Sequence, residues 1–220
     1  MIILAIDTAG VDCSAAVLDS DTGQVLAAIT DMIGKGHAER LMAVIDEALS
    51  QAGRELSEVG RIAVVIGPGS FTGIRVGVAT ARGLALALGA ECVGVTTLEA
   101  LALGYLEGNP ARPVVVAMDA KRGELYVQAF AQDGSPLGDP AAMSPQETAA
   151  LVASLSADLS GSGRSLALDA STEASSGDRF DIATVARLGA AKVAGASKPK
   201  PLYLRGPDAK PQTGYALARA

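Results

Sequence analysis

A chain of 220 residues with 49% hydrophobic and 19% charged side chains can bury a sizeable core and is too apolar to be disordered over most of its length. Its formal net charge of −6, from 18 basic and 24 acidic residues, argues against a protein that grips nucleic acid alone, because phosphate neutralisation needs a basic surface. Tryptophan is absent and aromatics make up 3%, so Ala, Val, Leu and Ile must fill the interior.

Residues 2–6 form a continuous apolar run, the pattern of a strand buried on both faces. The run is too short for a membrane span, lacks a basic lead and ends on Asp7, so neither a leader nor a transmembrane segment is expected and the protein should be cytoplasmic. A turn over residues 7–10, a strand over 13–18, a turn at 21–23 and a strand over 24–30 complete an antiparallel meander. From His37 the spacing changes to three and four (Leu41, Val44, Ile45, Ala48, Leu49), which predicts an amphipathic helix stopping near Gly53. A strand over 61–66 runs into Gly67-Pro68-Gly69-Ser70-Phe71-Thr72-Gly73, and a helix rich in Ala and Gly follows over 74–88. A strand over 92–95 and a helix over 98–106 precede the Pro-rich break at 109–113, the best candidate hinge. Beyond it come strands over 114–118 and 124–130. Ser144-Pro145-Gln146-Glu147 then has the form of a capped helix start. Residues 156–165 read as a Ser/Gly loop, 182–192 as a helix and 199–220 as an irregular tail. Leu4-Ala5-Ile6-Asp7 and Val116-Ala117-Met118-Asp119 each open a strand, turn, strand sequence, which suggests two related α/β halves. Two ordinary hairpins with Asp in the turn would look the same.

Few residues are placed for chemistry. Asp7 and Thr8, at the tip of the first strand, could position a phosphate or its metal, or simply cap the turn. Glycines between a strand end and a helix start let backbone N–H groups approach an anion, which makes Gly67, Pro68, Gly69 and Ser70 a candidate phosphate loop, with a tight structural turn as the alternative. No Walker pattern is present. His37 is the only histidine, so neither a zinc site nor a Ser-His-Asp hydrolase is expected. Cys13 and Cys92 stand alone and read as small hydrophobes in a reducing compartment. The two helices following residues 36 and 71 could pack internally or form a subunit interface.

Leu4-Ala5-Ile6-Asp7-Thr8, His37-Ala38-Glu39-Arg40-Leu41, the run GPGSFTGIRVG from Gly67 to Gly77, and Met118-Asp119-Ala120-Lys121-Arg122-Gly123-Glu124 together resemble the TsaB (YeaZ) family. The segments around Ala81 to Ala85, Gly94 to Ala100 and Pro201 to Arg205 also resemble it. The resemblance implies the α/β fold of actin, sugar kinases and the heat-shock chaperone ATPases. Its expected division is a first lobe over 1–108, a smaller second lobe over 109–198 and a tail over 199–220. It also implies a non-catalytic subunit that pairs with TsaD, the threonylcarbamoyl transferase acting on the adenosine beside the tRNA anticodon. Pairing with TsaD, or a homodimer on the same face, would use two first-lobe helices carrying His37, Leu41, Met42, Ile45, Ile74, Gly77 and Ala81. TsaE, an ATPase, and TsaC, which forms the adenylate, complete the system, and tRNA would be reached only through the complex. Where TsaD carries a metal-binding His-x-x-x-His, this chain reads Thr97-Leu98-Glu99-Ala100-Leu101, and no Gly-Gly pair occurs anywhere. Neither metal nor cofactor is therefore expected. A kinase or nucleotide hydrolase built on Asp7 and the glycine loop is the alternative, with a peptidase third.

Overall fold

The computed structural model describes residues 1–109, 111–168, 178–193, 195 and 198–205. β1 (Ile2–Asp7) is buried along its whole length because it lies in the middle of a five-stranded sheet of order β3-β2-β1-β4-β5. β2 (Asp12–Asp19) pairs with it antiparallel, and β3 (Gln24–Met32) pairs antiparallel with β2. β4 (Val59–Val65) and the edge strand β5 (Glu91–Val95) continue the sheet in parallel. Parallel neighbours need crossovers. They are supplied by α1 (His37–Ala52), which ends on left-handed Gly53, and α2 (Phe71–Leu88), capped by Ser70.

The second sheet repeats this plan with shorter pieces. β6 (Val114–Asp119), β7 (Leu125–Phe130) and β8 (Ala141–Met143) form the meander. After α4 (Pro145–Leu155), β9 (Asp158–Ser160) returns parallel to β6, giving the order β8-β7-β6-β9. The glycine turn at 161–163 then leads into the short α5 (Arg164–Ala167), as the loop at 67–70 leads into α2. The second half therefore repeats the topology of the first as far as its fourth strand, with no counterpart of β5 among the described residues, and the fold is actin-like α/β. The capping box at Ser144 and Glu147 forms as its spacing predicts. Residues 156–165, read as loop, contain β9 and the start of α5. Strands of three residues are too short to show a period, and β8 escapes a sequence reading for the same reason.

Two helices change sides relative to the division expected from the sequence. α3 (Thr97–Gly108) follows β5 in the chain, yet Leu98, Leu101 and Leu106 pack with Val114, Val116, Met118 and Phe130 of the second sheet. α6 (Ile182–Ala191) comes from the second half, yet Ile182, Val185 and Ala186 join the core of the first sheet. An added Cβ on Gly189 would meet Ala63 at 2.3 Å, whereas one on Gly77 of α2 would lie 3.6 Å from the neighbouring Val64. Successive strand residues face opposite ways, so α6 and α2 cover opposite faces of the first sheet. The apolar period of α6 is legible in the sequence, but its destination is not.

Candidate functional site

The predicted loop residues are brought together, and the space between them is filled by the chain itself. Asp7 Oδ1 accepts the Ala9 N–H at 2.8 Å and caps the β1–β2 turn. That turn lies on the N-terminus of α2: Ser70 N–H donates to Ala9 O at 2.7 Å, Thr8 Oγ1 donates to Gly73 O at 2.7 Å, and Ser70 Oγ accepts the Gly73 N–H at 3.2 Å. A Cβ on Gly69 would stand 2.4 Å from Ala9 O, and one on Gly73 only 1.9 Å from Thr8 O. The glycines thus admit the protein's own backbone, and the N–H groups of Ser70 and Gly73 at this helix start are met within the chain, by Ala9 O and by the Ser70 hydroxyl. Gly67 and Pro68 offer their carbonyls to the N–H and Oγ1 of Thr97, at 2.9 and 2.7 Å. The structural-turn alternative describes this geometry. Burial, with a smaller contribution from the charge of Asp12, pushes the Asp7 carboxyl up to about 7.

The corresponding turn of the second half is closed in the same way. Gly161 and Gly163 press on Ala117 O, and the Asp119 N–H donates to Ser162 Oγ at 2.8 Å. Ser162 in turn gives its N–H and Oγ–H to Asp178, at 2.8 and 2.6 Å. The next residue, Arg179, reaches Asp12 of β2 with two bonds of 2.7 and 3.1 Å, so residues 178–179 tie the second glycine turn to the first sheet.

The residues proposed from sequence for a partner face need correction. His37, Leu41, Ile45, Ile74, Gly77 and Ala81 are all buried inside this chain, with His37 Nε2 3.1 Å from Asp12 O. Only Met42 is exposed, at 43%. The strongest apolar period on a helix marks the face turned to its own sheet, not the outer one. The outer face of α2 carries Phe71 at 55% exposure, Ala79, Gly83 and Leu86 at 75%, together with Arg75 and Arg82. An added Cβ on Gly83 would touch nothing within 4 Å. A helix apolar all round is the available signal that both of its faces matter. At the N-terminal end of this face the Arg75 guanidinium lies 3.7 Å over the Phe71 ring and its Nε donates to Tyr203 OH at 2.9 Å.

α2 is also long and apolar enough to cross a membrane by length and composition. Its packing on β4 through Ile74, Val78 and Ala81 is that of a core crossover helix. Thr97 and Leu101, which the sequence aligns with a metal-binding His pair only by resemblance, point inward: Thr97 bonds the glycine loop and Leu101 joins the second core. The described residues contain no group of three or more His, Cys, Asp or Glu placed to hold a metal ion.

Residues 29–174 match the family model of TsaD, tRNA N6-adenosine threonylcarbamoyltransferase. The Escherichia coli K12 tRNA threonylcarbamoyladenosine biosynthesis protein TsaB is 37% identical over 133 residues, 60% of this chain and 56% of that protein. The chain spans about half the length of the first curated relatives that it matches. A Pseudomonas aeruginosa structure described as an uncharacterised protein with similarity to peptidase YeaZ superposes with a TM-score of 0.76 at 28% identity, covering 93% of this chain and 99% of that one. YeaZ from Pseudomonas aeruginosa gives a TM-score of 0.58 at 34% identity over 66% and 68% of the two chains. With the duplicated topology and the glycine loop in their places, these matches show that the chain belongs to the TsaB (YeaZ) family, within the wider group described by the TsaD model.

Proposed function

We propose that this protein is a non-catalytic scaffold subunit of a cytoplasmic tRNA threonylcarbamoyladenosine system, pairing with TsaD through the outer face of α2. The observation that carries the reading is the α2 face itself. A mid-helix glycine costs about 1 kcal/mol relative to alanine, and Gly83 has no internal neighbour that requires it. Beside it stand Ala79 and the exposed Leu86, a combination suited to the close approach of a second helix. The closed glycine loop supports the absence of turnover in this subunit. TsaD would supply the chemistry, TsaE would join as the ATPase, and tRNA would contact the assembly mainly through other subunits, in keeping with the −6 charge. In the absence of TsaD the same face could pair two copies of this chain.

Mixing the purified chain with TsaD, TsaE and threonylcarbamoyl adenylate, then omitting each in turn, tests the reading. Modification should require this chain, and Leu86→Glu should abolish co-elution with TsaD. ATP turnover by the chain alone, lost in Asp7→Ala, would establish a kinase or hydrolase instead.

A further inference from the structure

Along the outer edge of β5 runs a cleft of about 350 Å3, a volume suited to a small ligand. Ile66, Gly94 and Pro199 form its apolar floor, and Lys192, Lys198 and Lys200 stand around it. The charge balance of these lysines is uneven. Lys192 Nζ is held by both carboxylate oxygens of Glu99, at 2.8 and 2.9 Å, so its charge is met within the fold. Lys198 and Lys200 form no ion pair with any described residue.

The negative groups nearby are already engaged. Arg61 Nη1 binds the carbonyls of Gly189, Ala190 and Lys192 at 2.9, 3.0 and 2.9 Å, which satisfies the negative end of α6. Arg61 Nε also holds Glu91, at the start of β5, at 2.7 Å. In a chain of net charge −6 an anion would therefore meet excess positive charge here. Cys92 lines the same cleft; burial raises its thiol, and the positive charges of Arg82 and Lys198 act against that rise. Pro199 would lie 3.5 Å from a Cβ on Gly94, so the segment carrying Lys198 to Lys200 flanks β5 and the cleft between them opens to solvent.

We infer that this cleft binds a small phosphate-bearing molecule, its phosphate held between Lys198 and Lys200 and its body resting on Ile66, Gly94 and Pro199. Two ammonium groups without a carboxylate among the described residues supply more positive charge than a lone carboxylate ligand requires, and lysine serves phosphate as a point charge. Among the described residues that line the cleft none is aromatic, so recognition rests on the phosphate and on shape. The site is independent of the α2 face and of the scaffold role.

Cys92 makes the inference measurable. Cys13 is fully buried, so alkylation of the native chain by a small maleimide reports on Cys92, and Cys92→Ser supplies the blank. Pyrophosphate at ten times its dissociation constant should slow labelling about tenfold, because about a tenth of the sites remain open. ADP should act similarly, and sodium chloride of equal ionic strength should not. The double variant Lys198→Gln/Lys200→Gln should melt with the parent and label at a rate of its own, slower than the parent's because a charge favouring the thiolate is gone, that pyrophosphate leaves unchanged. Calorimetric titration of the parent with pyrophosphate should give a saturable isotherm that the double variant lacks. No protection by millimolar pyrophosphate or ADP, or protection that survives in the double variant, would overturn the proposal. So would a short RNA lacking terminal phosphates that protects better than pyrophosphate, since the site would then belong to a nucleic-acid backbone.

Discussion

Beneath the turn that it caps, Asp7 titrates near neutrality because burial penalises its charge. A carboxyl whose folded value of about 7 lies above its ordinary 3.8 keeps a proton that the unfolded chain has released, so stability falls as pH rises between these values. A tenfold change in proton affinity corresponds to about 1.4 kcal/mol, which bounds the loss across each step of one in pH. Asp7→Asn keeps the acceptor for the Ala9 N–H and removes the titration. The variant should therefore gain stability over the parent as pH rises from about 4 to 7. Parallel melting temperatures across that range would refute this account of Asp7. Two glycines of α2 should respond with opposite signs to alanine. Gly73→Ala forces a methyl onto Thr8 O and should cost about 2 kcal/mol or more in urea denaturation. Gly83→Ala meets open space and should gain about 0.5–1 kcal/mol. The sequence displays both glycines equally; what approaches each is a long-range property, since Thr8 lies 65 residues from Gly73.

At the level of elements, the helices are legible in place but not in orientation. α1 begins at His37 and ends at Gly53 as its period and C-terminal glycine predict, because both signals are local. α2 begins earlier than residue 74, since Ser70 caps it and Phe71 is already helical. The correction over which residues face outward has a measurable consequence. Leu41→Glu places a carboxylate in the first core and should unfold the protein or cost about 2–5 kcal/mol. Leu86→Glu, on a side chain that is 75% exposed, should change stability by no more than about 0.5 kcal/mol while removing association with TsaD. If both variants melt with the parent and only Leu41→Glu dissociates, the outer-face assignment is wrong. β8 and β9 are illegible in the sequence because pairing with β7 and β6, rather than any period of their own, makes them strands.

On the scale of the whole molecule, the duplication is visible through its two Asp-ended strands, and the parallel pairs β1–β4 and β6–β9 bear it out. The boundary between the halves is harder to read, because α3 and α6 exchange places and no local signal says on which sheet a helix will land. The ties across the halves are polar and specific. Arg179 joins Asp12, while its neighbour Asp178 joins Ser162. Arg179→Ala should leave the buried Asp12 without its partner and cost about 1–3 kcal/mol, less at high salt because the arginine is half exposed. Amide exchange around residues 12 and 162 should then accelerate together; acceleration at only one of them would show that the two ties act separately.

The exchange of α3 and α6 also decides how the chain can come apart. Each sheet is completed by a helix encoded in the other half, so cutting at residue 109 would separate neither lobe intact. The first fragment would lack the cover that α6 gives to β1 and β4, and the second would lack Leu98, Leu101 and Leu106. Expressed alone, either fragment should collect in the insoluble fraction, whereas the two expressed together should recover a native-like complex. The intact chain should accordingly lose both halves in one cooperative transition. The Pro-rich break at 109–113 is then a joint that the two halves share rather than a border between them.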